Sequence, residues 1–163
     1  MDVMWWVGVI VLGLFLVAAL SVGKKKRPQD QALPKDAYVS KPFLTQRERR
    51  FFHQARGCIP KGDLFMAQVR VVDLVEVNKK YGANARLRLA LFRKVSQWHC
   101  DFVWLDAQLN IKAVVELDDA SHQRRDRIKR DAVFNQVMAQ AGIRLLRVNS
   151  FTEFARQASS LPA

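Results

Sequence analysis

Three acidic residues, Asp101, Glu116 and Asp118, lie in two short runs that otherwise have the apolar and β-branched composition of strands. Because side chains alternate along a strand, Glu116 and Asp118 share one face. Like charges placed side by side are destabilising, whereas carboxylate oxygens are the ligands that Mg²⁺ or Mn²⁺ prefers. The pattern therefore predicts that these three side chains hold a divalent metal ion.

The two acidic runs predict a β-hairpin, with the polar residues 106–110 as its turn. An antiparallel register that pairs Leu105 with Lys112 places Asp101 opposite Glu116. The opposite faces of the two strands are predicted to point into a hydrophobic core: Phe102, Trp104, Val115 and Leu117.

Upstream of the hairpin, a capping box of Thr45 and Glu48 predicts the start of a helix, and Gly57 is predicted to end it. Capping alone explains Glu48, which can act with the acidic cluster only if its side chain points toward it. A strand is predicted over residues 64–72, with Gln68 and Arg70 on one face. Its other face is predicted to carry Phe65, Ala67, Val69 and Val71.

The remaining elements follow from hydrophobic periodicity. Leu87, Leu91 and Val95 predict the packed face of a helix over residues 85–95. A helix at about 124–140, a strand at 143–148 and a helix at 151–158 complete the order. The predicted fold class is therefore α/β (α+β), with a mixed central sheet and flanking helices.

The N-terminal part differs from the rest. Residues 3–22 are uncharged and long enough to span a bilayer as a helix. A cleaved signal peptide is less favoured because no basic region precedes the apolar run. The cluster Lys24–Arg27 predicts that the following chain lies in the cytoplasm. Three parts are expected: an anchor at 1–23, a basic, proline-containing linker at 24–42 and a domain at 43–163.

The formal net charge of +12 indicates a polyanionic partner, either nucleic acid or the membrane surface. The basic residues predicted to contact nucleic acid are Arg93, Lys94, Arg124, Arg125 and Lys129. Cys58 and Cys100 lack metal-ligand spacing and are predicted to be buried free thiols. No organic cofactor is predicted.

At this point the order of elements resembles the core of the PD-(D/E)XK nuclease superfamily. The segments that carry the resemblance are Asp101-Phe-Val, Glu116-Leu-Asp-Asp-Ala-Ser-His122, Arg130-Asp131 and Ala141-Gly-Ile-Arg-Leu-Leu-Arg147. They look most like a small bacterial family of unknown function, which includes membrane-anchored members and is related to very-short-patch repair endonucleases. The resemblance covers roughly residues 43–148.

The resemblance implies a restriction-endonuclease-like fold and metal-dependent hydrolysis of phosphodiester bonds in DNA or RNA. Asp101 and Glu116 would hold Mg²⁺ or Mn²⁺, and Glu48 would complete the coordination through water. It also implies a single-pass protein of the bacterial cytoplasmic membrane, anchored by residues 3–22, with its C-terminal domain in the cytoplasm.

The sequence departs from the superfamily at one position, where Asp118 replaces the usual Lys two residues after the Glu. His122 or Lys129 could take over the role of that Lys, and His122 could act as a general acid or base or simply bond a neighbouring carboxylate. Alternatively, the domain is an inactive nuclease fold that binds nucleic acid or a protein partner at the membrane. For Asp131 and Arg147 a salt bridge or helix-to-sheet contact is preferred.

Overall fold

The computed structural model describes residues 33–118 and 125–160. The chain divides into two compact units, Met1–Lys41 and Pro42–Ala163. Among the described residues, no helix combines the length and the apolar character needed to cross a bilayer. The predicted anchor at residues 3–22 and the basic cluster at residues 24–27 lie outside the described residues.

The described part of the second unit contains four helices and four strands. In chain order these are α1 (Gln46–Cys58), β1 (Leu64–Arg70), α2 (Ala85–Val95), β2 (His99–Leu105), β3 (Ile111–Leu117), α3 (Arg125–Gln140), β4 (Leu145–Val148) and α4 (Phe151–Ala158). Two 3₁₀ turns, Val71–Asp73 and Lys79–Tyr81, lie between β1 and α2. The predicted combination of a mixed sheet with helices is confirmed.

The strands form one sheet in the order β1-β2-β3-β4. Neighbouring strands are antiparallel from β1 to β3, whereas β3 and β4 are parallel. Val103 pairs with Val114, the same register that places Asp101 opposite Glu116. Close to the turn, Leu105 pairs with Ile111 rather than with Lys112, because the register shifts after Trp104.

Each face of the sheet carries its own hydrophobic cluster. The first, beneath α1 and α4, includes all four predicted inward-facing residues of the hairpin: Phe102, Trp104, Val115 and Leu117. Phe102 is fully buried, and its ring stacks on that of Phe65 with centroids 5.2 Å apart. The second cluster, on the opposite face, joins Val103 and Val114 to α2 and α3 through Val95, Phe134 and Met138.

Strand β1 does not keep a single alternation of faces, so its predicted inward face is wrong. Phe65 and Ala67 pack with the first cluster, but Val71 and Val69 belong to the second. Between them Gln68 has a φ of 55°, in the left-handed region that interrupts the two-residue period of a strand. The interruption lies beside Asp101 in the β1–β2 pairing.

The predicted capping box of α1 is confirmed. The Thr45 hydroxyl accepts a bond from the Glu48 N–H, and the Glu48 carboxylate accepts one from the Thr45 N–H. The helix continues through Gly57, however, and ends at Cys58. Pro60 explains the later end, because the residue before a proline is disfavoured in helical conformation and Ile59 has a ψ of 154°. Cys58 and Cys100 are both free thiols, but only Cys100 is buried.

Helix α2 has the predicted bounds but not the predicted packing. Val95 alone among its residues is buried, whereas Leu91 is half-buried and Leu87 is 39% exposed. The hydrophobic periodicity correctly predicted a helix. It did not predict how small a part of the apolar face of this helix packs against the rest of the domain.

Candidate functional site

The hairpin brings Asp101 and Glu116 into direct contact at the end of the β2–β3 ladder. The Asp101 N–H donates to Glu116 Oε1 at 3.1 Å, and the Leu117 N–H donates to Asp101 Oδ2 at 2.9 Å. Each carboxylate thus uses one oxygen to bond the backbone of the neighbouring strand. The second oxygens, Asp101 Oδ1 and Glu116 Oε2, accept no hydrogen bond from any residue in the ranges 33–118 and 128–160.

Burial makes this pair electrostatically unusual. Glu116 is only 8% exposed, and burial, reinforced by the nearby Asp101 charge, raises its pKa to about 8. Burial also raises the pKa of Asp101, and the Glu48 and Asp118 charges act in the same direction. In both residues the backbone hydrogen bonds oppose the increase. Two neighbouring carboxyl groups that resist ionisation are typical of functional sites.

Asp118 lies on the same face, where Arg147 holds its carboxylate. Strand β4 pairs Arg147 with Glu116 in register. Arg147 Nη1 lies 2.7 Å from Asp118 Oδ1 and 3.0 Å from Oδ2. The guanidinium also contacts α3, donating to Asn135 Oδ1 at 3.1 Å and lying 3.5 Å from Asp131 Oδ1. The preferred salt-bridge role of Arg147 and Asp131 is confirmed.

Glu48 reaches the same region through Gln68. Its Oε2 caps α1, while its Oε1 accepts a bond from Gln68 Nε2 at 3.3 Å. Gln68 occupies the β1 position beside Asp101, where the strand alternation breaks. The Glu48 charge contributes to the raised pKa of Asp101. Glu48 is therefore both a capping residue and a neighbour of the acidic pair.

The other predicted site residues are placed as follows. His122 and Arg124 lie outside the described residues, and the Arg125 side chain is also not described. Lys129 is exposed on α3, and Arg93 and Lys94 are exposed on α2. Among the side chains described, those of residues 33–118 and 128–160, no three His, Cys, Asp or Glu are grouped to hold a metal ion. Metal binding by Asp101, Glu116 and Asp118 together stays a prediction.

Sequence reasoning placed Gln68 on a strand face without a role in the site, and it did not single out Arg47. Arg47 donates to three backbone carbonyl groups, those of Leu117, Asp118 and Asn149, at 3.2, 2.7 and 2.9 Å. These contacts tie α1 to the ends of β3 and β4 and so hold the acidic strand in place. No local pattern marks Arg47, because its partners lie 70 to 102 residues away in the chain.

We expect Arg47→Met to lower the free energy of unfolding by about 2 kcal/mol, since it leaves three carbonyl groups, two of them in part-buried hydrogen bonds, without their charged donor. Chemical denaturation of the purified protein measures this change. Arg49→Met removes the same charge from an exposed position on the same helix and should change stability by less than about 0.5 kcal/mol. Equal effects of the two substitutions would contradict the clamping role of Arg47.

Comparison with known proteins places this domain in a family. Searches of curated proteins and of solved structures give no match to the chain. A family model described as "Protein of unknown function (DUF2726)" matches residues 40–161, a range that contains α1, the whole sheet and α4. The chain therefore belongs to the DUF2726 family.

Proposed function

We propose that this domain is a metal-dependent nuclease-like hydrolase that acts on phosphodiester bonds of DNA or RNA. The observation that carries the proposal is a pair of neighbouring carboxyl groups, the half-buried Asp101 and the buried Glu116, each with one oxygen free of bonds to the described residues. Such a pair is costly to ionise unless a cation is present. The resemblance to PD-(D/E)XK nucleases and to very-short-patch repair endonucleases supports the same proposed function.

The residue types fit a small divalent cation. Mg²⁺ is usually bound by one or two carboxylates, with water and substrate phosphate completing its shell. Asp101 and Glu116 would hold it, and Glu116 would give up the proton that burial retains. Bound there, the ion would supply polarisation of the scissile phosphate and a water of lowered pKa.

The chain's own residues would orient this pair. Arg147 lies beside Glu116, and its positive charge lowers the pKa of that carboxyl group, in opposition to burial. Arg147 is the β4 residue that pairs in register with Glu116. The superfamily instead has a Lys two residues after the Glu, at the position of Asp118. Asp118 fixes the Arg147 guanidinium in this position through two contacts to Nη1. We propose Arg147 as a positioning residue in place of the missing Lys.

The basic character of the domain supports a nucleic-acid substrate. The whole chain has a formal charge of +12, and Lys and Arg outnumber Asp and Glu in the domain as well, so it attracts phosphate over distances of about 8 Å in physiological salt. The proposal also keeps the protein at the bacterial cytoplasmic membrane, with residues 3–22 as a single anchor and the domain in the cytoplasm.

The first test is metal binding, measured by isothermal titration of the purified protein with Mg²⁺ and Mn²⁺ near pH 8. We expect one ion per chain, and an affinity at least about tenfold lower for Asp101→Asn. Glu76→Gln removes one exposed carboxylate and should leave the affinity unchanged. The absence of binding at millimolar ion would contradict the metal-dependent mechanism.

The second candidate function is an inactive nuclease fold that binds nucleic acid or a protein partner at the membrane face. It is favoured by Asp118, which stands in place of the superfamily's Lys and forms a salt bridge with Arg147. In this case the protein would bind an oligonucleotide or protein partner without any divalent ion. A titration without binding of Mg²⁺ or Mn²⁺, together with retained oligonucleotide binding, would favour this candidate.

A further inference from the structure

Helix α2 and the turn before it form a strongly basic surface. From Val77 to Cys100 the chain contains six Lys or Arg residues and no Asp or Glu. All six cationic side chains are exposed: Lys79, Lys80, Arg86, Arg88, Arg93 and Lys94. We refer to residues 79–94 as the basic helical surface.

Large apolar side chains are exposed on the same surface. Leu89 is 46% exposed and Phe92 is 47% exposed, and Tyr81 and Leu87 are also exposed. At about 100° per residue, Leu89 and Phe92 continue the apolar arc of α2 beyond Val95, its buried residue. The apolar arc is therefore wider than the part that the domain covers.

The combination of exposed cations and exposed apolar side chains distinguishes between the partners that a basic surface can bind. A phosphate backbone offers contacts to Arg and Lys but none to exposed Leu side chains. A second copy would bring six more cations against the same surface, which Coulomb repulsion opposes. An anionic bilayer can contact both the cationic and the apolar side chains. The cations contact the lipid headgroups, and Leu and Phe enter the boundary between the headgroups and the acyl chains.

We propose that the basic helical surface docks on the surface of an anionic phospholipid bilayer. Arg93 and Lys94 then contact lipid phosphates rather than nucleic acid. The inference is independent of the metal site, because it depends on no residue of the acidic pair. It would give the domain a defined orientation on the membrane in addition to any N-terminal anchor.

Hydrogen exchange of the full-length protein tests this docking. The protein is reconstituted into vesicles of phosphatidylcholine alone or of phosphatidylcholine with phosphatidylglycerol, and exchange is measured for peptides covering residues 79–95. We expect exchange to be at least about tenfold slower in the anionic vesicles, as for a ligand present at ten times its dissociation constant. Comparing two lipid compositions separates docking from insertion of the anchor, which both compositions allow.

Two substitutions show which side chains are responsible. Leu89→Ser with Phe92→Ser should abolish the protection, whereas Leu109→Ser, at an exposed apolar residue of the hairpin turn, should retain it. Equal exchange in both lipids would overturn the proposal. It would also be overturned if an oligonucleotide, but not anionic lipid, protected these residues, or if protection depended only on protein concentration.

Discussion

Cleavage of DNA or RNA by this protein is expected to fall by at least about 100-fold in Asp101→Asn and in Glu116→Gln, the low end for groups that act directly on a reaction. Each amide keeps the size of the side chain and can still accept the backbone N–H at 2.9 or 3.1 Å. It loses the charge that would bind the cation. The measurement is single-turnover cleavage of labelled single- and double-stranded DNA and RNA with Mg²⁺ or Mn²⁺.

Glu76→Gln is the matched control for this experiment, since it makes the same charge change at an exposed position. It should cleave as the wild type does. Arg147→Met should reduce cleavage without removing metal binding, because Arg147 contacts Asp118 rather than the acidic pair. Equal cleavage by wild type, Asp101→Asn and Glu116→Gln would show that these residues are not the catalytic centre.

The second large effect is a pH-dependent stability that originates in Glu116. Its pKa rises from 4.5 to about 8 on folding, mainly through burial. The folded state therefore binds more protons than the unfolded state between these values. The contribution is complete below pH 4.5 and is lost as the pH rises through about 8. Asp101, whose pKa is also raised, acts in the same direction.

Glu116→Gln should remove much of this dependence. The amide resembles the protonated acid, so we expect wild type and variant to have similar unfolding free energies near pH 5. Near pH 9 the variant should be the more stable protein, by an amount on the order of 1 kcal/mol or more. Thermal or urea unfolding across this pH range measures the difference, with Glu76→Gln as the exposed control.

The effect of a divalent metal ion on stability connects this experiment to the proposed function. Near pH 9, Mg²⁺ should stabilise the wild type, since cations bind the ionised pair and only the folded state presents it. It should stabilise Glu116→Gln much less. A wild-type stability that stays constant from pH 5 to 9 would contradict the burial of an ionisable Glu116, whatever the outcome of the cleavage assay.

The local sequence pattern was sufficient to predict several parts of the fold. The two-residue period of the strands placed Asp101 and Glu116 together and sent Phe102 and Trp104 into the core. The capping box located the start of α1. These features depend on residues close in the chain, or on a hairpin whose register is set by its two adjacent strands.

Other features required the tertiary structure because their partners are distant in the chain. Arg147 meets Asp118 only through the parallel pairing of β4 with β3, across the whole of α3. The break in alternation at Gln68, with its φ of 55°, cannot be read from a polar residue type alone.

The sequence by itself therefore determined the acidic hairpin, its buried face and the basic character of the domain. Only the tertiary structure decided that Arg147 pairs with Asp118 and which side of α2 stays uncovered. The physical reason is that periodicity specifies the direction in which a side chain points along its own element. The neighbour it meets there depends on how separate elements pack, and residue spacing does not encode that contact.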